Sequence, residues 1–208
     1  ETYYKTYQNF VRQRPVLNAQ YYLPNLPVMP DTFNGGNGYA RGLDLFYRDK
    51  KTFKGLDYWI SYTFLDTKRL YKDYPVSVTP TFAAQHTASL VLKKFWVKKM
   101  FGCGLTYSYA SGRPYYNPNN PVFLGDRTID YHALGFNANL IRKIKKSYTV
   151  FVLAITNAIG NKQIFGYRYS QDGTRREAVG PTAARSIFLG MFMSFGVDRT
   201  KDVINNNN

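Results

Sequence analysis

Large and small side chains alternate without a break from Phe101 to Ala110. Phe101, Cys103, Leu105, Tyr107 and Tyr109 fall on one side of an extended chain, and Gly102, Gly104, Thr106, Ser108 and Ala110 on the other. Successive side chains of a strand point to opposite faces, so this stretch reads as a strand with one greasy face and one small, polar face. The pattern recurs along the chain. Leu43, Leu45 and Tyr47 oppose Gly42, Asp44 and Phe46; Leu56, Tyr58, Ile60, Tyr62 and Phe64 oppose Asp57, Trp59, Ser61 and Thr63. Leu134, Phe136, Ala138 and Leu140 oppose Asn137 and Asn139, and Ile187, Leu189, Met191, Met193 and Phe195 oppose Ser186, Gly190 and Ser194. Adding Glu1–Tyr7, the segment 82–92 and the β-branched segment 148–160 predicts eight strands.

The connections alternate in kind. Arg48–Lys54, Lys93–Lys99 and Arg142–Lys146 are short and basic. The others are long and rich in Tyr, Pro, Asn and Gly: about Asn9 to Gly38 with Pro15, Pro24, Pro27, Pro30 and the run NGGNG, then TKRLYKDYPVSVTP, then about Ser111 to Thr128, then Gly166 to Thr182. Proline removes ladder donors and glycine frees the backbone, so the first of these is expected to hold no strand core. In a meander every second connection lies at the same end, which makes one end short-turned and cationic and the other elaborate. Outer-membrane barrels have this inequality, with short periplasmic turns and long outer loops. The expected fold is therefore all-β, an antiparallel up-and-down transmembrane β-barrel segment of about eight strands over residues 1–197, with a polar tail at 198–208. A soluble β-sandwich shares the alternation but needs no such difference between its ends.

Charge placement agrees. An Arg or Lys on a lipid face costs roughly 2–4 kcal/mol at mid-depth and close to nothing near the interfaces. The outward-face charges read here, Arg41, Arg142 and Arg185, all fall near strand ends, while Asp44 and Asp57 fall on inward faces. A net charge of +15 would suit a nucleic-acid partner. Such a module interleaves cations with aromatics on one face, whereas here the cations gather in the turns and the aromatic share is 17%. No nucleic-acid partner is expected. The longest apolar run, Val150 to Ile155, is too short for a membrane helix. A mean hydropathy of −0.39 is compatible with a membrane barrel, whose strands are only half apolar. ETYYKTYQNF has neither an initiating Met nor a signal-type apolar stretch and begins inside a strand, so a partial chain is expected.

Two loop sets are candidate ligand contacts. Arg113, Tyr115, Tyr116 and Asn117 combine rings, a cation and an amide, which suits stacking and hydrogen bonding to a planar or polyhydroxyl ligand; the alternative is that the loop folds against its neighbours. Tyr167, Tyr169, Arg175 and Arg176 form a second set, able to meet an anionic ligand or simply solvated. His86 and His132, isolated from further ligands, make no metal site, and Cys103 reads as a small apolar residue on the outer face. With no nucleophile–base set, carboxylate pair or metal motif, no enzymatic activity and no cofactor are expected. The basic turns either meet anionic headgroups or a periplasmic partner, or stay solvated.

The ordered set GYARGLDLFYRDK, DYWISYTFLDTKR, Pro75 with Phe82–Thr87, YASGRPYYNP, FGYRYS and ARSIFLGMFMSFGVDR resembles the C-terminal barrel of TonB-dependent outer-membrane receptors of Bacteroidota-type bacteria. The resemblance covers essentially the whole chain. It implies the last eight strands of a barrel of about 22 strands around a plug, located in the outer membrane. The implied partners are outer-membrane lipids, the rest of the barrel and its plug, and a TonB-type energising protein reached through the N-terminal part. It implies import of a large scarce nutrient, such as a metal chelate, corrinoid, glycan or peptide. The alternative is a small self-contained eight-stranded outer-membrane barrel with a structural or adhesive role.

Overall fold

The structure is a computed structural model and describes residues 1–13 and 32–196. Its frame is one eight-stranded antiparallel sheet made of β1 (Thr2–Gln13), β2 (Thr32–Asp49), β3 (Leu56–Leu70), β4 (His86–Trp96), β5 (Phe101–Ala110), β8 (Tyr131–Ile144), β9 (Ser147–Thr156) and β12 (Ser186–Phe195). These strands stand side by side in chain order, so the chain runs up and down as the alternation predicts. Two small hairpins sit outside the sheet, β6 (Pro114–Tyr115) with β7 (Asp126–Arg127), and β10 (Gly166–Tyr169) with β11 (Arg176–Val179). The sheet is open, with β1 and β12 as its two edges. The prolines at 15, 24, 27 and 30, the tail at 198–208 and the boundary at 197 lie outside the described residues.

Register decides which residues share a face. Tyr58, Leu92, Leu105, Phe136, Ile155 and Ile187 are directly opposite one another from β3 to β12, forming one apolar row across six strands. The neighbouring row, Leu56, Lys94, Cys103, Ala138, Leu153 and Leu189, lies on the same face. Each apolar set read from the sequence thus lands on a single face of the sheet. The other face carries Asp57, Lys93, Gly104, Asn137 and Ala154 in one row. Gly102 sits under a cross-strand amide, where an added Cβ would lie 2.3 Å from Asn139 Oδ1.

Among the described residues no second layer covers the apolar face. Leu189 is 77% exposed, Met191 54%, Leu45 53% and Ile60 48%. Burial of this kind of area is worth roughly 25 cal/mol per Å2, and contiguous exposure of this width is what soluble monomers avoid.

The structure corrects several boundaries. Residues 32–38 are strand, not loop: Thr32, Phe33, Asn34, Gly36, Asn37 and Gly38 pair with β1, Gly38 also pairs with Arg69 of β3, and β1 runs on to Gln13. Glycine is required there by close approach, since a Cβ on Gly36 would lie 2.2 Å from the Leu70 carbonyl and 2.7 Å from Phe10 Cβ. Opposite it, β1 carries a bulge with Asn9 at φ 59, a conformation Asn tolerates. β3 extends to Leu70, β4 starts at His86 rather than Phe82, and β9 ends at Thr156 rather than Gly160. The apolar face also holds charges that the sequence count omitted, Asp49, Asp66, Lys68 and Lys94. Asp66 accepts from Arg41 Nε at 2.8 Å, so that pair is neutralised at the strand end. Arg185 lies off the face, ahead of β12, with Nε directed at the Asn157 carbonyl.

Gly36→Ala is expected to cost roughly 1–3 kcal/mol through overpacking against backbone. Gly35→Ala, which meets only the turnable Phe33 ring, should cost less. Denaturant unfolding of the two variants in detergent checks this.

Candidate functional site

The long connections 71–85, 111–130 and 157–185 lie at one end of the sheet, and the short turns at the other. Each of the last two long loops is stiffened by its own hairpin. In 170–175 the Asp172 carboxylate accepts from Thr174 N at 3.1 Å and Thr174 Oγ1 at 2.8 Å, while Gly173 supplies φ +71. These donors, with the Ser170 hydroxyl first among them, hold the Asp172 carboxyl down to about 2. In 111–130 the side-chain amides of Asn117 and Asn120 donate to the Asp126 carboxylate, holding it below the usual carboxylate range, with Asn117 the stronger cause. Asp130 accepts from Gly112 N at 2.8 Å, which closes the base of the loop.

The two loops then meet. The Tyr115 and Tyr167 rings lie 4.7 Å apart, and the Arg176 guanidinium sits 4.6 Å above the Tyr167 ring. Arg176 Nη1 donates to the Tyr115 hydroxyl at 3.1 Å, and Asn119 Nδ2 donates to the Gly173 carbonyl at 2.8 Å. Tyr115 is buried. Burial first, and then its contact with the Tyr169 hydroxyl, push the Tyr115 phenol up to about 12.

Of the eight candidate residues, Tyr115, Tyr167, Tyr169 and Arg176 therefore come together in one cluster that crosses the loop boundary. The other four do not join it. Asn117 is turned to Asp126, and Arg113 has its backbone N–H on Thr128 Oγ1. Tyr116 is 57% exposed and tilts against Phe123 at 6.1 Å. Arg175 is exposed, with its backbone hydrogen-bonded to Ser170.

A second aromatic line was not read from the sequence. Phe10, Tyr71, Tyr74 and Phe123 follow one another at 6.0, 4.8 and 5.2 Å between centroids, joining β1 to both 71–85 and 111–130. Beside it the Arg69 guanidinium lies 5.0 Å from the rings of both Tyr7 and Phe82 and 5.4 Å from that of Phe10. The available signal was Tyr71-x-x-Tyr74 ahead of Pro75, a spacing that names no partner.

Under the 157–185 loop, against the small-residue face of β5, β8 and β9, lies a hollow of about 450 Å3. Thr106, Ser108, Tyr131, Thr156 and Gln163 supply hydroxyls and an amide to its wall, and none of the described residues that line it is charged. Such a wall can hydrogen-bond to a polar ligand.

No protein-family model and no curated protein matches the chain.

Proposed function

We propose that the chain is part of the barrel wall of an outer-membrane TonB-dependent receptor that admits a large, scarce nutrient. The apolar face carries this reading. It runs from β3 to β12 with Lys94 as the one charge inside its two central rows, has no covering layer among the described residues, and is bordered by aromatics at both ends. Trp96 stacks on Phe101 at 5.6 Å on the short-turn side. On the loop side, Tyr62 and Tyr107 are hydrogen-bonded to His86 and His132, each at 2.8 Å. Phe101 and Tyr109 bound this band on β5, a stretch of about nine residues, which is the length at which a strand tilted by about 45° crosses the apolar core. Tyr and Trp at both borders match the aromatic girdles of membrane interfaces.

In this reading the small-residue face looks into the lumen, and the loop cluster around Tyr115 and Arg176 stands at the outer mouth above the hollow. The remaining strands and plug pair with the edges and fill the lumen, and a TonB-type protein supplies energy through the plug side. The alternative, a self-contained small barrel, would require β1 and β12 to pair, whereas they are the free edges of the sheet.

Purified chain is expected to need detergent or a bilayer to remain folded and monodisperse, as read by light scattering and circular dichroism. A folded monomer in plain buffer would defeat the membrane assignment. Reading the gene ahead of Glu1 separates the two barrel readings. Further strands and a plug support the receptor, and a signal peptide directly before Glu1 rejects it.

A further inference from the structure

We propose that the short-turn end of the sheet docks on anionic phospholipid headgroups; this rests on the membrane reading above. Residues 48–57, 93–99 and 142–146 hold twelve Lys and Arg against two Asp, and the meander brings all three segments to one end. The two carboxylates are already engaged. Asp57 pairs with Arg48 at 2.7 Å and Lys50 at 3.9 Å, and Asp49 caps its own turn by accepting from the Lys51 and Thr52 backbone N–H groups. Lys98, Lys99, Lys145 and Lys146 are exposed and in no ion pair among the described residues. Tight turns hold them at the rim, with Met100 at φ 48 and Lys145 at φ 54.

Position along the apolar face selects the partner. Apart from Lys94, which lies one row inside the Trp96–Phe101 pair and donates to the Lys54 carbonyl at 2.8 Å, the cations of this rim begin where that face ends. Lys94 lies on it with its ammonium 6.0 Å from the Trp96 ring. Arg142, one row beyond Leu140 on the same face, is fixed by donating to the Lys99 carbonyl at 2.8 Å. Rings at the acyl boundary with ammonium groups just outside them match the depth of lipid phosphates, and long Lys stems let the charge reach that layer. A zwitterionic headgroup brings its own cation to every phosphate; an anionic one does not. The uncompensated charge of this rim therefore favours the anionic lipid.

The test uses the full chain with Trp59→Phe, which leaves Trp96 as the reporter. It is inserted into phosphatidylcholine bilayers containing a minor fraction of phosphatidylglycerol, with bromine on the acyl chains of one lipid or the other. Brominated phosphatidylglycerol is expected to quench Trp96 severalfold more per mole than brominated phosphatidylcholine. The excess should vanish at high ionic strength and in K98E/K99E/K145E/K146E, which still inserts into pure phosphatidylcholine. Equal quenching per mole overturns the proposal, as does an excess that survives the four reversals. Equal quenching together with salt-sensitive binding of an acidic polypeptide would assign the rim to a protein partner instead. Failure of the parent chain to enter any bilayer defeats the membrane reading itself, and is seen before quenching is measured.

Discussion

Leu105→Arg is expected to destabilise the chain in a bilayer by about 2–4 kcal/mol, while Thr106→Arg, one residue on, should change stability by roughly 1 kcal/mol or less. Leu105 lies in the middle of the apolar row, between Leu92 and Phe136. An arginine there must stay in hydrocarbon or draw water and headgroups inward. Thr106 points to the opposite face beside Gly135 and borders the hollow, where a long polar side chain has room. The contrast separates two physical worlds. In water Leu105 is already 40% exposed, so an arginine there would cost no more than about 0.5 kcal/mol and the two variants would match. Reversible denaturant unfolding from lipid bilayers, run beside the parent chain, reads the difference. Equal stabilities would reject lipid contact for this face.

The reason those two neighbours can be told apart is that the frame of this fold is written in a period of two. Alternation at Leu43–Tyr47, Leu56–Phe64 and Ile187–Phe195 assigns a face without knowledge of any partner, because a one-residue slip would turn every large side chain over. The boundaries that went astray are those where glycine and proline were read as loop markers. Asn34–Gly38 looks like a flexible run, but Gly36 sits between β1 and β3 with the backbones of Phe10 and Leu70 against it, and Gly38 lies against the Lys68 carbonyl of β3. Composition shows that glycine is present and not which neighbour demands it. In Phe82–Gln85 the apolar composition continues the strand while the backbone has already turned, with Ala83 N donating to the Pro80 carbonyl.

The loop end was legible only residue by residue. GRPYYNPNNP and FGYRYS each announce rings, amides and cations, yet their meeting is a tertiary event between residues 61 apart. Nothing periodic links Tyr115 to Arg176. The line from Phe10 through Tyr71 and Tyr74 to Phe123 was missed for the same reason. It depends on how β1, the 71–85 loop and the 111–130 loop are stacked by the sheet order. Asn117 shows the converse. It is a good ligand amide by type, but Asp126 lies close enough to claim it.

Tyr115→Ala is expected to cost about 3–5 kcal/mol of loop docking, the usual loss for emptying a buried aromatic site. The effect should fall on the contact between 111–130 and 157–185 and leave the sheet intact, because Tyr115 reaches Tyr167 and Arg176 and lies outside the eight-stranded ladder. Tyr115→Phe keeps the ring and removes the oxygen that accepts from Arg176. It should cost about 1.5 kcal/mol, the low end for a bond from a charged donor whose own side chain is exposed. Hydrogen exchange at the β10–β11 amides reads both variants, and Tyr116→Ala, on an exposed ring, is the control expected to lie near 0.5 kcal/mol. The phenol adds a pH signature. Its pKa is raised to about 12 in the folded loops, above the ordinary tyrosine value near 10, so the protonated phenol's contribution to docking is fully present below about pH 10 and is lost as pH rises through about 12. Tyr115→Phe has no proton to lose there, so its exchange should not show the alkaline step assigned to Tyr115. A step of equal size in both proteins would mean that another group opens the loops. Equal exchange in the Tyr115→Ala and Tyr116→Ala variants would mean that the two loops move independently and that the mouth is not held by this contact.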